Sequence, residues 1–194
     1  MVSFIFLSIP AIIYALVVRL RERVSGREIA SRLGLVLGPG RYYGWALGFL
    51  LLTVGGNFLL WRWAPSLMHS RATATSEFAG QPLTVMNLLR VLEFGLLSTG
   101  LGEELLFRGL LCGWLGRRMR FWAANGIQAA IFTLPHLLLL QQEPHLWPMI
   151  VLGPILFGLI LGWLRLKSGS IFPGWIVHGW GNVFAALSYM LWSV

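Results

Sequence analysis

The stretch LTVMNLLRVLEFGLLSTGLGEELLFRGLLCGWL, Leu83 to Leu115, is apolar along most of its length yet carries Arg90, Glu93, Glu103, Glu104 and Arg108. A hydrocarbon core is crossed by about 20 apolar residues. This stretch is too long for one simple crossing, so it is either a long tilted helix or two helices broken near Gly100 and Gly102. Its neighbours decide the class. Apolar runs at Val2 to Val18, Tyr43 to Trp61, Trp122 to Leu140, Leu146 to Leu164 and Phe172 to Trp192 bring the expected number of spans to six, or seven if the long one is split. The predicted fold is an all-α, polytopic transmembrane helix bundle.

Composition agrees. Of the 194 residues, 57% are hydrophobic and 11% charged, with 10 Trp and 12 Phe, a balance outside that of soluble domains. All 7 acidic residues are Glu, and all basic residues are Arg except Lys167. The net charge of +8 sits in loops: Arg19, Arg21, Arg23, Arg27, Arg32 and Arg41 in the first, Arg117, Arg118 and Arg120 in the third, Arg165 and Lys167 in the fifth. Such loops face the cytoplasm and anionic lipid, which places both termini outside. Without a basic stripe interleaved with exposed aromatics, a nucleic-acid partner is not expected. Cys112 is the single cysteine, which excludes an intramolecular disulfide and a Cys-based metal cage. The run Val2 to Val18 lacks a basic start and reads as a retained span.

Ionisable and amide side chains inside spans are costly, about 2.5–3.5 kcal/mol for a charged residue on insertion scales, and mark interior sites. Glu104 and Arg108 are four apart, the favoured acid-before-base spacing for a helix ion pair. Glu103 points roughly 100° away from Glu104 and is left without a partner in its own helix, as a proton acceptor would be. His178 and Asn182, also four apart, offer donors to a developing oxyanion. His136 follows Pro135, which should kink its helix. At about 1.5 Å per residue, Glu103 is roughly 21 Å from Arg117, His136 roughly 22 Å from Phe121 and His178 roughly 16 Å from Lys167. All three therefore lie at similar depth. Arg90 with Glu93 reads as a loose pair near the outer interface, and His69 and His145 as outer-loop residues.

EELLFR fits Glu-Glu-x-x-x-Arg, FTLPH fits Phe-x-x-x-His and HGWGN fits His-x-x-x-Asn, in that order on three spans. Together they resemble the CPBP family, the CAAX-processing and bacteriocin-processing intramembrane proteases that include the Ras-converting-enzyme type and the Abi proteins. The resemblance covers roughly Leu83 to Trp192. It implies that Glu103 is the general base, that His136 positions the attacking water, and that His178 with Asn182 stabilises the oxyanion. Glu104, Arg108 and Phe132 then support the site. Residues 83–194 are the expected catalytic core. Residues 1–82, two spans and their loops, match no motif and are expected to contact substrate or a partner.

The implied activity is hydrolysis of a peptide bond in a peptide or membrane-anchored protein substrate, with the lipid bilayer as the constant partner. A prokaryotic plasma membrane is the expected location. Glu103, His136 and His178 also offer three ligands for zinc. No His-Glu-x-x-His helix is present, however, and an Asn one turn from His178 suits an oxyanion better than a metal. A metal-free glutamate mechanism without cofactor is therefore expected, with zinc as its alternative. Two other classes compete: a non-catalytic Abi-like immunity or scaffold protein, which would tolerate Gln at position 103, and a small transporter, which would need a polar path across the bilayer.

Overall fold

The computed structural model describes residues 2–63 and 74–192; His69 and Arg71 lie outside them. Every described element is helical, and no strand occurs among the described residues. The helices are α1 (Val2–Glu22), α2 (Gly26–Arg32), α3 (Arg41–Trp63), α4 (Val85–Gly116), α5 (Phe121–Gln141), α6 (Pro148–Ser168) and α7 (Phe172–Trp192), with a 3-10 turn at Ala74–Phe78. Five of them, α1, α3, α4, α5 and α6, are long and apolar enough to cross a membrane. In lipid the helix is the natural solution for such runs, because it satisfies every backbone group internally. The sixth predicted span is α7, a helix of 21 residues. It carries His178, Asn182 and several glycines, and ten of its residues are buried.

Short polar segments stop and start these helices by ordinary capping. Ser25 Oγ accepts from the Glu28 amide at 3.1 Å to open α2, and Thr84 Oγ1 accepts from the Asn87 amide at 3.2 Å to open α4. Gly169, at φ 74°, closes α6 in the left-handed conformation. On the basic side of the bundle one backbone oxygen gathers three segments. The Arg32 carbonyl accepts from Arg117 Nη1 at 3.1 Å and from Arg165 Nη2 at 3.0 Å, while Arg165 Nε donates to the Arg108 carbonyl at 3.1 Å. The Arg32 side chain meets Glu28 and Glu22 at 2.9 and 2.6 Å, and these carboxylates raise its pKa further above the ordinary arginine range.

The long stretch Val85–Gly116 is one helix of 32 residues, with Gly100 and Gly102 inside it. Instead of breaking, it widens. Glu93–Leu101 and Glu104–Cys112 are π-helical, and side chains follow the five-residue spacing: Thr99 Oγ1 donates to the Phe94 carbonyl at 2.9 Å and Ser98 Oγ to Glu93 at 2.6 Å. Glu93, read from the sequence beside Arg90, thus accepts from Ser98. α7 lies against the first half of α4 at very short range. A Cβ on Gly95 would come 2.9 Å from the Gly179 carbonyl, and one on Gly100 2.9 Å from Gly179 Cα. Only hydrogen fits there, which is why this crossing is made of glycines.

On the other side of α4, α5 and α6 are tied by buried amides. Asn125 Nδ2 donates to the Leu159 carbonyl at 3.0 Å and Gln128 Nε2 to the Gly158 carbonyl at 2.7 Å. α5 is α-helical through Phe121–Thr133 and then tightens to 3-10 geometry over Leu134–Gln141. Pro135 sits at that change, as its missing N–H requires. α3 packs along α7 and is joined to it through Tyr42, Ala46, Leu161, Leu164 and Val177 of the core.

Candidate active site

Three helices supply the polar groups: α4 brings Thr99, Glu103, Glu104 and Arg108, α5 brings Phe132 and His136, and α7 brings His178 and Asn182. The deepest layer is the Glu104–Arg108 pair. Both side chains are completely buried, with Arg108 Nη1 at 3.2 Å from Glu104 Oε1. The guanidinium nitrogens lack hydrogen-bond alignment, and the group lies instead over an aromatic face, Cζ 4.1 Å from the Phe132 centroid. Coulomb attraction and a cation–π contact therefore hold it. Gly174 of α7 makes room for this layer, since a Cβ there would come 2.6 Å from Glu104 Oε2.

His178 stands on top of that layer. Its Nδ1 is 3.1 Å from Glu104 Oε1 and its Nε2 is 3.8 Å from Glu103 Oε2. A carboxylate only accepts, so Nδ1 carries a proton and donates to Glu104. The second distance is beyond a direct hydrogen bond. Phe132 and Phe157 meet the imidazole edge-to-face at 6.1 and 5.3 Å and fix its plane. Glu103 and Glu104 diverge from their helix as neighbours must, yet both address the same ring, because the two nitrogens of His178 look out in different directions between them.

His136 Nδ1 is 3.0 Å from the Phe132 carbonyl, which can only accept. The proton is thereby placed on Nδ1, and in the neutral ring Nε2 is left with a free lone pair. Asn182 Nδ2 donates to Thr99 Oγ1 at 2.8 Å, and the Thr99 hydroxyl, already donating to the Phe94 carbonyl, is oriented to receive it. Thr99 lies one turn before Glu103, and its place in an apolar run was the signal that could have found it. His145, by contrast, is 70% exposed and sits beside Glu143 at 3.6 Å.

Glu103, His136, His178 and Asn182 line one cavity of about 830 Å³, together with Thr99 and a mainly apolar surround. Glu103 is 23% exposed there, whereas Glu104 behind it is sealed. Among the described residues no three His, Cys, Asp or Glu side chains are arranged to hold a metal ion. One nitrogen of His178 is engaged by Glu104 and one of His136 by a carbonyl, which leaves Nε2 of each ring outside these bonds. Cys112 is free and buried away from the cavity.

No curated protein gives a significant match to the chain, and neither does any solved structure. The sequence model of a protein family does, the Rce1-like type II CAAX prenyl endopeptidases, over residues 85–184. That range begins with α4, takes in all of α5 and α6 and ends two residues past Asn182, so it contains each polar group described above. With more than half of its residues inside the match, the chain belongs to the Rce1-like family of type II CAAX prenyl endopeptidases.

Proposed function

We propose that this chain is an intramembrane endopeptidase in which Glu103 activates a water molecule for attack on a peptide carbonyl. The observation that carries the reading is the meeting of Glu103, His136, His178 and Asn182, from three helices, on one cavity of a chain that belongs to a protease family. The water sits between the Glu103 carboxylate and the free Nε2 of His136. Glu103 takes its proton as the oxygen bonds to the carbonyl carbon, a step that positioned general bases accelerate by about 10²–10⁴. The carbonyl oxygen becomes an oxyanion facing His178 Nε2 and Asn182 Nδ2. Glu103 then returns the proton to the leaving nitrogen as the C–N bond breaks.

For His178 to donate from Nε2 while Nδ1 donates to Glu104, the ring must be an imidazolium. The local charges then balance: Glu103 and Glu104 against Arg108 and His178. A neutral total suits a site sealed from water on one side. Glu104, Arg108 and Phe132 touch no reacting atom in this reading; they hold His178. Residues 83–194 carry all of the chemistry, and no step uses a metal.

The experiment compares protein N-termini and C-terminal fragments in membranes of cells carrying the wild-type chain or Glu103→Gln at equal abundance. Fragments that vanish in the variant are the expected result and name the substrate. Identical profiles, with the variant still supporting the wild-type phenotype, would replace the peptidase with a non-catalytic binding protein.

A further inference from the structure

The cavity has a wall that the catalytic machinery does not use. Leu52, Thr53, Gly56, Asn57 and Leu60 of α3 line it, at positions that recur every three to four residues and so form one face of that helix. α3 precedes the region matched by the family, which begins at residue 85. Thr53 satisfies itself by donating to the Phe49 carbonyl at 2.9 Å. Asn57 does not. Its Oδ1 is a buried oxygen with no hydrogen-bond partner, and among the described residues it is the only such atom that belongs to a residue lining this cavity. An unmatched buried acceptor costs about 1–3 kcal/mol. No bond holds Oδ1 where it is, and the terminal torsion of Asn is broad, so the carboxamide turns readily to offer that oxygen to an occupant.

The size of the cavity says what form the occupant takes. A spanning helix of about 20 residues, roughly 30 Å long and 10 Å across, fills on the order of 2,400 Å³. The cavity measures about 830 Å³, within the range of roughly 300–1,000 Å³ that encloses a compact ligand. It holds a few residues of peptide, unwound, and not an intact helix. Unwinding frees main-chain N–H groups in a place with little water, where each needs an acceptor. Asn57 is an acceptor needing a donor. Other parts of the lining are apolar, with Leu139, Leu146, Met149 and Ile150, and receive side chains without competing for that bond.

We propose that the α3 face bearing Gly56 and Asn57 is the substrate-binding wall of the cavity, and that Asn57 Oδ1 accepts a main-chain N–H from an extended, apolar peptide segment beside the catalytic groups. The assignment rests on the peptidase reading above. Asn57 is a positioning residue: it fixes the register of the segment against Glu103 and takes no part in proton transfer. Gly56 adjoins it as the gap through which the segment lies, since a Cβ built there meets no atom within 4 Å.

The test uses the full chain in lipid nanodiscs and a quenched-fluorescent peptide copied from the first cleavage that Glu103→Gln abolishes in membranes. Each peptide N–H is replaced in turn by N-methyl. One position is expected to raise KM about two- to tenfold for the wild-type chain, the worth of one hydrogen bond, with kcat nearly unchanged. Asn57→Leu should show the raised KM with the unmodified peptide and no further penalty from that methyl group. A structural role for Asn57 would not select one peptide bond. Gly56→Leu, which grows into empty space, should keep the wild-type melting temperature and lose at least about tenfold in kcat/KM. Methyl penalties that are the same in the wild type and Asn57→Leu at every position would overturn the assignment, as would wild-type cleavage by Gly56→Leu. If Glu103→Gln abolishes no cleavage, the peptidase reading falls and takes this one with it. Loss of fragments in Glu103→Gln without coupling to Asn57 removes the α3 assignment alone.

Discussion

Replacing Arg108 by Met removes one of the two cations that stand against a completely buried carboxylate and leaves Glu104 with the His178 imidazolium alone. Glu104 and Arg108 have no exposed surface, so solvent does not screen the loss, and breaking such a pair from one side costs about 3–5 kcal/mol. The guanidinium is at ion-pair distance without aligned hydrogen bonds, which puts the expected cost near the lower end, about 3 kcal/mol, with the lost contact to the Phe132 face included. At about 2–4 °C per kcal/mol for a chain of this size, the melting temperature should fall by roughly 6–12 °C. Glu104→Gln should cost a similar amount by stranding Arg108. The double variant should lose much less than the sum, because Gln and Met leave no unpaired charge and Gln can still accept from His178 Nδ1. The assay is thermal unfolding of purified full-length protein in nanodiscs, read as a double-mutant cycle. Additive losses, or a fall below about 2 °C for Arg108→Met, would refute the claim that this pair is a buried, mutually dependent layer under His178.

Gly100→Ala should destabilise the bundle by about 1–3 kcal/mol in the same assay, because the new methyl group meets the Gly95 carbonyl of its own helix and Gly179 Cα, the latter at 2.9 Å, and a close-packed crossing has no room to relax. Asn182→Leu should lower kcat by about 10²–10³ on a cleavable peptide with little change in KM, the signature of a lost oxyanion donor. Thr99→Val releases the Asn182 carboxamide without removing it, and a loss of about two- to tenfold is expected, matching one hydrogen bond; a loss as large as that of Asn182→Leu would mean that Thr99 itself meets the substrate. Dialysis against a chelator should leave activity unchanged in the glutamate mechanism. Activity lost on chelation and restored by zinc would refute it.

Much of the bundle is legible in the sequence because lipid leaves few options: an apolar run must become a helix, and its ends are marked by Arg, Gly or capping hydroxyls. The predicted span Tyr43 to Trp61 is thus the observed Arg41–Trp63, and Phe172 to Trp192 is α7 itself. The Glu104–Arg108 pair follows from four-residue spacing alone. What spacing does not carry is the relation between helices. The close approach of Glu103 and Glu104 to one imidazole depends on where α7 lies, and α7 lies there because three glycines on two helices let it. Thr99 acts through Asn182, 83 residues later in the chain, and Asn57 comes to the cavity only through the packing of α3 along α7. The widening of α4 leaves hardly any trace in composition, since the same Leu, Gly and Phe residues build an ordinary α-turn equally well.

That widening limits how such a gene can change. A π-turn accommodates one residue more than an α-turn, so the span from the Thr84 cap to Glu103 carries more residues than an ordinary helix needs to bring that carboxylate to the same face. Deleting a single residue within Glu93–Leu101 lets the helix close to its usual pitch with the residues beyond kept near their present face, whereas inserting one there turns everything beyond by about 100°. Neither carboxylate would then face His178. Substitutions along the lipid-facing side of α4 can accumulate freely, while an insertion in its first half removes both acidic groups from the ring at once.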